Sequence, residues 1–407
     1  MSYEEDDFSK ICEYSDSVRN TEGEEMEGKE GVVKHPDFDL MGPVLADMDA
    51  LMREVEFCKG GVGFTWERDS KNRLVPVATP LGKRYFFDVY FFFQHYAFDE
   101  RYVYSPHVEA LREALIVKAL HPDHAPFHGN VPHPVTGRLP QQLFDDVLAK
   151  AAEIVGSPQF RERLRIRRRN AERNEAKGLA IEQKVFANRA RQLVLMLHFG
   201  YELQYRSSIA LEEIQQHRKK FFNNCRTNNL LRGIVDYIWK IEQGDDSGLH
   251  LHVLIFYSTD SCRDVYIAKQ IGKYWVKVTG GKGKYWNSNA EKAFHEKYGH
   301  GIGTGEIGWD DDAKRKALRI NICYMAKADQ FLKVRLGGSH LFGTSQVREK
   351  RKLGRPRSLK PKLDGDPTVR TQADPLENTG TDVTALMRIS TVKQGRDGFD
   401  AIGVGDG

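Results

Sequence analysis

The sequence predicts an α+β protein in which an antiparallel sheet carries helices on one of its faces. Between residues 190 and 345 the residue patterns follow the order strand, helix, strand, strand, helix, strand. Before residue 158, amphipathic helical patterns mix with short strand patterns, which predicts a mixed and mainly helical N-terminal region. Both ends of the chain are polar and poor in hydrophobic residues, which predicts disordered tails.

Composition narrows the class of protein. The chain has 407 residues, of which 40% are hydrophobic and 11% aromatic, as expected for a globular protein. Its five cysteines lie far apart and none forms a CxxC pair, which argues against a zinc ribbon or a disulfide framework. We therefore expect reduced thiols in the cytoplasm. No signal peptide or membrane-spanning pattern is recognisable, so we expect no association with a membrane.

The first two segments carry no clear site. Residues 1–33 are acidic and are predicted to be a disordered tail, with mimicry of nucleic acid as the weaker alternative. Residues 34–158 form an N-terminal region of unknown role, in which Ser105 and the proline after it open a helical pattern. A stretch rich in proline and glycine then holds four histidines. Because they lack ligand spacing, an irregular loop is favoured over a metal site at His121, His124, His128 and His133.

A strongly basic segment follows at residues 159–189 and is predicted to be a charged helix or linker. Seven arginines crowd its first half: Arg161, Arg163, Arg165, Arg167, Arg168, Arg169 and Arg173. A helix here would present a basic flank able to follow DNA phosphates. A solvated connecting helix explains the pattern equally well.

The most informative stretch is 234–257, which reads as two strands joined by a polar turn. Side chains alternate between the faces of a strand, so His250 and His252 project together. The apolar residues of the two strands would form one core face, and the opposite face would carry Lys240, Glu242, His250 and His252.

Two imidazoles and a carboxylate on one face can hold a divalent metal with positions left open. Glu242, His250 and His252 are therefore the candidate metal ligands, with Glu242 assigned from the expected register of the turn. The alternative is a half-buried strand with incidental histidines.

A glycine-rich loop at 279–287 carries lysines beside aromatic residues. It cannot be a Walker loop, because Tyr285 stands where that motif requires serine or threonine. Lysine with aromatic rings instead suits single-stranded nucleic acid, with charge on phosphates and rings on unstacked bases. The candidate DNA-binding residues are Lys282, Lys284, Tyr285 and Trp286.

The last strong helical pattern runs from Asp310 to Leu336 and places Tyr324 and Lys327 on one face. The tail from 346 to 407 is basic and then polar, and is predicted to be disordered. Arg355 and Arg357 flank a proline in an arrangement resembling the core of an AT-hook, which reads the minor groove. A basic disordered linker is the more economical interpretation.

Together, the His-hydrophobic-His strand (HLHVLIFY), the DVYIAKQIGKYWVKVTGGKGKYWN segment, CYMAKADQFLK and HLFG resemble the HUH endonucleases. The most similar group is the replication initiators of filamentous phages (inoviruses), the family that includes the YagK/YfjJ C-terminal domain. The resemblance covers roughly Ala190 to Gly343, within a predicted nickase domain at 190–345. It implies a five-stranded antiparallel sheet of the HUH/Rep type, related to the RRM fold, and a site-specific single-strand DNA endonuclease and ligase that initiates rolling-circle replication.

The resemblance also implies roles for individual residues. His250 and His252 match the metal-binding pair, and the metal would be Mg²⁺ or Mn²⁺. Tyr324 matches the nucleophile that forms a 5′-phosphotyrosyl bond, and Lys327 matches the lysine one turn later. The absence of a second tyrosine between 320 and 333 implies a single-tyrosine enzyme. Single-stranded DNA at a replication origin, a host helicase and a host polymerase are the expected partners.

Three other functions remain open on the sequence. A transposase or relaxase would use the same chemistry on a different DNA. A non-catalytic DNA-binding regulator would retain the fold without cleavage. A zinc metalloenzyme would use the metal on a small molecule instead of DNA.

Overall fold

The structure is a computed structural model. It describes residues 21–26, 29–34, 41–97, 99–100, 102–118, 131–134, 136–244, 247–292, 302–327, 329, 332–335 and 340–346. All of the described residues belong to one compact unit, 1–352. The tail arginines Arg355 and Arg357 and the histidine-rich stretch 121–130 lie outside the described residues. No helix in the described part of the chain is both long and apolar enough to cross a bilayer.

A short antiparallel hairpin lies in the acidic segment. It pairs β1 (Thr21–Met26) with β2 (Lys29–Lys34). The sequence predicts a disordered tail over 1–33, so the hairpin differs from that expectation, and residues 1–20 lie outside the described part. The β-branched residues Val32 and Val33 favour a strand locally, although the segment as a whole is poor in apolar residues.

The N-terminal region is mixed and mainly helical, as predicted. Its helices are α1 (Met41–Cys58), α2 (Pro80–His95), α3 (Pro106–Val117) and α4 (Pro140–Val155), and its strands are β3 (Phe64–Arg68), β4 (Leu74–Ala78) and β5 (Tyr102–Tyr104). Helices α2 and α3 begin at Thr79 and Ser105, whose side chains accept a backbone N–H, and each is followed by proline. The buried apolar residues of this region form a hydrophobic core of their own.

A 31-residue helix, α5 (Pro158–Asn188), connects this core to the rest of the chain. The Ser157 side chain accepts the N–H of Phe160 at its start. Phe160 is buried in the N-terminal core, whereas Ile181 and Val185 are buried in a second core against the main sheet. The basic segment is therefore a continuous helix shared by two cores, with an exposed basic stretch between its ends.

The main sheet has six strands among the described residues, one more than predicted. They are β6 (Arg191–Tyr201), β7 (Ile234–Gly244), β8 (Gly248–Tyr257), β9 (Gly283–Asn287), β10 (Gly305–Gly308) and β12 (Phe342–Thr344), all paired antiparallel. Strands β6, β8, β7 and β12 follow one another across the sheet. β9 and β10 pair with successive parts of the free edge of β6. A further short strand, β11 (Leu332–Val334), pairs with β5.

Helices cover both faces of this sheet, whereas the sequence predicted one covered face. The helices after β6 are α6 (Leu203–Arg206), α7 (Leu211–Asn223), α8 (Asp264–Val278) and α9 (Asp312–Lys327). Residues of α7 and α8 share a core with one face, and residues of α5 and α9 share a core with the other. Residues 264–278 are helical to their end, although their pattern begins as a helix and ends with the alternation typical of a strand. Ile267, Ile271 and Trp275 recur at helical spacing and are all buried.

Candidate metal centre

The hairpin of β7 and β8 has the register that the sequence predicts. Glu242 lies opposite His250, and Lys240 lies opposite His252. One ligand atom from each of Glu242, His250 and His252 lies within 4.8 Å of the others. These three residues form the metal cluster. They lie together because residues two apart in a strand share a face and cross-strand partners are neighbours.

The ring of His250 is oriented by the backbone. Its Nδ1 lies 3.0 Å from the carbonyl oxygen of Gly248 and 3.3 Å from Oγ of Ser247. An Nδ1–H that donates to the carbonyl fixes the tautomer and leaves the lone pair of Nε2 for a metal. Gly248 has φ +63°, a left-handed conformation that glycine adopts without strain.

Charge around Glu242 keeps it ionised. Burial alone would raise the pKa of its carboxyl group, but the positive charges of His252, Lys240 and His250 outweigh burial, so the pKa lies below its usual range. Oε2 of Glu242 lies 3.1 Å from Nε2 of His252. The lowered pKa favours the ionised carboxylate, which is the form that binds a cation.

The donor set fits a divalent cation. Metal–ligand distances of about 2.0–2.2 Å place neighbouring ligand atoms about 3 Å apart and opposite ones about 4 Å apart. Donors already within 4.8 Å of one another need only small rotations to reach that geometry. Two imidazoles with one carboxylate suit Mn²⁺, Fe²⁺ or Zn²⁺, and with water they also accept Mg²⁺. Three protein ligands leave positions for water or a phosphate oxygen.

A third histidine, which sequence reasoning missed, adjoins the metal cluster. His198 on β6 is the cross-strand partner of His252, and their ring centroids are 4.2 Å apart. The ring of Trp286 on β9 lies 4.4 Å from His198 on its other side. A histidine inside an otherwise apolar strand was the available signal, but its neighbours depend on the long-range register between β6 and β8.

The predicted nucleophile lies on α9, which packs on the same sheet face as the metal cluster. Leu318, Ile322 and Met325 of α9 share a core with Ile238 and Leu254 of the sheet. Tyr324 is buried, with 3% of its surface exposed. The helix that carries Tyr324 therefore lies on the face of the metal cluster, and the side chain itself is covered by protein.

Two ion pairs place the end of α9. Nζ of Lys327 lies 3.3 Å from Oε2 of Glu175 on α5, which occupies the lysine with a structural partner. Just beyond the helix, Asp329 pairs with the buried amine of Lys240, which is 1% exposed and lies opposite His252. The C-terminal end of α9 is thereby tied to the residues beside the metal cluster.

The predicted DNA-binding residues at 282–286 do not form one surface. Lys282 pairs with Glu213 at 2.9 Å. Trp286 is 4% exposed and packs against His198 on the face of the metal cluster, whereas Tyr285 points to the other face, against α8 at Gly272. Lys284 is half-buried and lies two residues before Trp286 in the strand, so the two side chains point to the same face. Trp286 is buried and Tyr285 is half-buried on the opposite face of the strand, so the two rings do not lie side by side on one surface.

Comparisons with family models, with curated proteins and with solved structures give no match for this chain. The geometry of the site therefore carries the functional argument.

Proposed function

We propose that this protein is a metal-dependent, site-specific single-strand DNA endonuclease and ligase that initiates rolling-circle replication of a phage, prophage or related mobile element. The observation that carries the proposal is the metal cluster of Glu242, His250 and His252 on a sheet face covered by the helix that bears Tyr324. A metal that binds phosphate and a nearby phenol are the two parts that transesterification of a phosphodiester requires.

The topology supports the same reading. Across the sheet the strands lie in the order β9, β6, β8, β7. Along the chain they occur in the order β6, β7, β8, β9, with helices after β6 and after β8. This is the arrangement of the ferredoxin-like β-α-β-β-α-β unit. The RRM-related core expected from the resemblance to HUH endonucleases has this plan, with β10 and β12 as additions at the edges.

In the proposed reaction, Oη of Tyr324 attacks the scissile phosphorus and loses its proton to solvent or a nearby base. A phosphorus–oxygen bond forms at Tyr324, and the bond to the 3′ oxygen breaks, so the leaving strand ends in a 3′-hydroxyl after protonation. The reverse reaction rejoins the strands without an external energy source, because one ester replaces another. Bound Mg²⁺ or Mn²⁺ would polarise the scissile phosphate. Lys327 would add positive charge near it once its pairing with Glu175 is exchanged.

One observation favours a second candidate function. Because Tyr324 is buried, cleavage requires the surroundings of the phenol to open, whereas DNA binding alone does not. A non-catalytic DNA-binding regulator that retains the fold is therefore the alternative. A transposase or relaxase would share the chemistry and differ in its DNA.

The test is formation of a covalent adduct. The purified full-length protein is incubated with Mn²⁺ and a pool of labelled random single strands, and covalent products are separated on a denaturing gel and mapped by peptide mass spectrometry. We expect an adduct on the peptide of Tyr324 that disappears in Tyr324→Phe. Tyr266→Phe, an exposed tyrosine on α8, is the matched control and should retain the adduct. DNA binding without an adduct would support the regulator instead.

A second arm tests the metal. His252→Ala should abolish the adduct while the protein remains folded, because it removes one of three ligands. Unchanged nicking in a folded His252→Ala variant would contradict the assignment of the metal cluster.

A further inference from the structure

A cavity of about 400 Å³ is lined by residues of α5, β5, the start of α3 and the segment that follows α9. Its wall on the far side from α5 includes Asp329 and Lys333. Cavities of this volume are large enough for a ligand of nucleotide size. The N-terminal region contributes Val103, Tyr104 and Pro106 to it, which would give residues 34–158 a part in the function.

We propose that this cavity binds one unpaired nucleotide of the DNA strand that is cut at the metal cluster. The proposal rests on the proposed function for its substrate, but the binding it describes is measured without cleavage.

The position of the cavity favours this ligand. Asp329, in the cavity wall, pairs with Lys240, and Lys240 lies directly across from His252. This ion pair thus links a residue of the cavity wall to the strand position opposite His252. Oη of Tyr102 on β5 also donates to the carbonyl of Gln243 at 3.4 Å, which fixes the cavity wall to the end of β7 that carries Glu242.

The charge of the cavity suits a single phosphodiester. Arg163, Arg167 and Lys333 bring positive charge, and Glu109 and Asp329 bring negative charge. Arg167 is held in place by donating to the carbonyls of Val103 and Tyr104 at 3.0 and 3.1 Å. Both carboxylates are already paired, Asp329 with Lys240 and Glu109 with Arg112, and Arg163 is paired with Glu113, so the charge left in the cavity is small and positive. The single charge of one phosphate in a DNA strand fits this balance.

The remaining lining suits a base. Asn170 and Asn174 lie one turn apart on α5, and their amides can donate and accept together, as the edge of an unpaired base requires. The side chain of Asn174 has no hydrogen bond to another described residue. Ile166 lies one turn before Asn170 and is 41% exposed, which is unusual for isoleucine on a charged helix. A base plane resting on Ile166 would cover it.

The test measures the affinity of the full-length protein for a short fluorescent DNA single strand from the fluorescence anisotropy of the strand. The buffer contains EDTA so that no cleavage occurs. Asn174→Leu removes the amide at similar size, and Gln183→Leu, an exposed amide elsewhere on α5, is its matched control. Lys333→Gln removes one charge from the cavity. Its control is Lys177→Gln, which removes one exposed charge from α5 outside the cavity. Ile166→Glu changes an exposed residue and is expected to leave folding intact while placing a carboxylate in the cavity.

We expect each cavity variant to weaken binding about tenfold, the loss typical of one good base contact, and each control to change it less than about threefold. Equal affinity of cavity and control variants would overturn the proposal, whether or not the parent protein forms an adduct. Parent protein that binds the strand but forms no adduct would overturn the nickase while leaving the cavity result valid. Crosslinking of a photoreactive base to peptides outside the cavity would also overturn the proposal.

Discussion

Gly178 on α5 is the place where a single methyl group should disturb the candidate site from a distance. A Cβ added there would lie 2.5 Å from Cγ2 of Ile322 on α9 and 3.6 Å from Cδ1 of Ile238 on the sheet. Carbon atoms pack at about 3.5–4.0 Å, so Gly178→Ala requires α9 to move by about 1 Å. Because Tyr324 is two residues from Ile322, the proposed nucleophile would move with the helix.

Two effects of opposite sign set the change in stability. Alanine favours a helix over glycine by about 1 kcal/mol. Overpacking a tight interior costs about 1–3 kcal/mol. We therefore expect Gly178→Ala to lower the free energy of unfolding by about 1 kcal/mol, measured by urea denaturation. Adduct formation should fall much further, by about a hundredfold, because a misplacement near 1 Å costs that much in a reaction that depends on orientation.

A double-mutant cycle isolates the contact. Ile322→Ala removes the methyl group that meets the new Cβ and should cost about 2–5 kcal/mol by itself, since Ile322 is fully buried. In the double variant the methyl at 178 fills part of that space. The loss of stability of the double variant should therefore be smaller than the sum of the two single losses, by about 0.5 kcal/mol or more. Additive losses, together with a Gly178→Ala variant that is more stable and fully active, would refute the close approach of α5 and α9.

Three further outcomes are expected. Mn²⁺ at a hundredfold excess over its Kd should stabilise the parent protein by about 2.7 kcal/mol, which is measured as a higher Tm. The His252→Ala variant should lose that increase in Tm, because it lacks one of the three ligands. An equal increase in both proteins would place the metal elsewhere. Burial raises the pKa of Cys225 to about 11, so at pH 8 iodoacetamide should label the exposed Cys58 and Cys262 before Cys225. Equally fast labelling of all three would contradict the packing around Cys225. Asn321→Leu should raise the free energy of unfolding by about 1–3 kcal/mol, measured by urea titration. The reason is that neither amide atom of this buried side chain has a hydrogen-bond partner among the described residues. A loss of stability would show that the amide is hydrogen-bonded.

The local part of the site was predictable from the sequence. Alternation of side chains and a short turn set the register of β7 against β8, so the meeting of Glu242, His250 and His252 followed from residues close in the chain. His198 meets His252 through pairing of strands more than fifty residues apart. No pattern in one sequence fixes that register, which explains why the third histidine was missed.

The same limit explains the errors in the fold. Strands β10 and β12 have four and three residues, too few to show alternation, and they exist because the edges of β6 and β7 offer unpaired backbone groups. The second helical layer was missed because the metal face was expected to be polar along its length. In fact Ile238, Leu254 and Phe256 on that face are fully buried.

The polar and apolar parts of that face explain how one sheet surface serves both stability and chemistry. Along β7 the side chains on this face change from Ile238 to Lys240 to Glu242, and along β8 they change from Leu254 to His252 to His250. The change occurs where α9 ends. Helix α9 covers the apolar half, whereas Lys240, His250 and His252 in the polar half are also buried, so their polar atoms need partners such as Asp329 and the Gly248 carbonyl. Asp329 both pairs with this polar half, through Lys240, and lines the proposed nucleotide cavity, so under the proposed function its ion pair is where the two sites would be coupled.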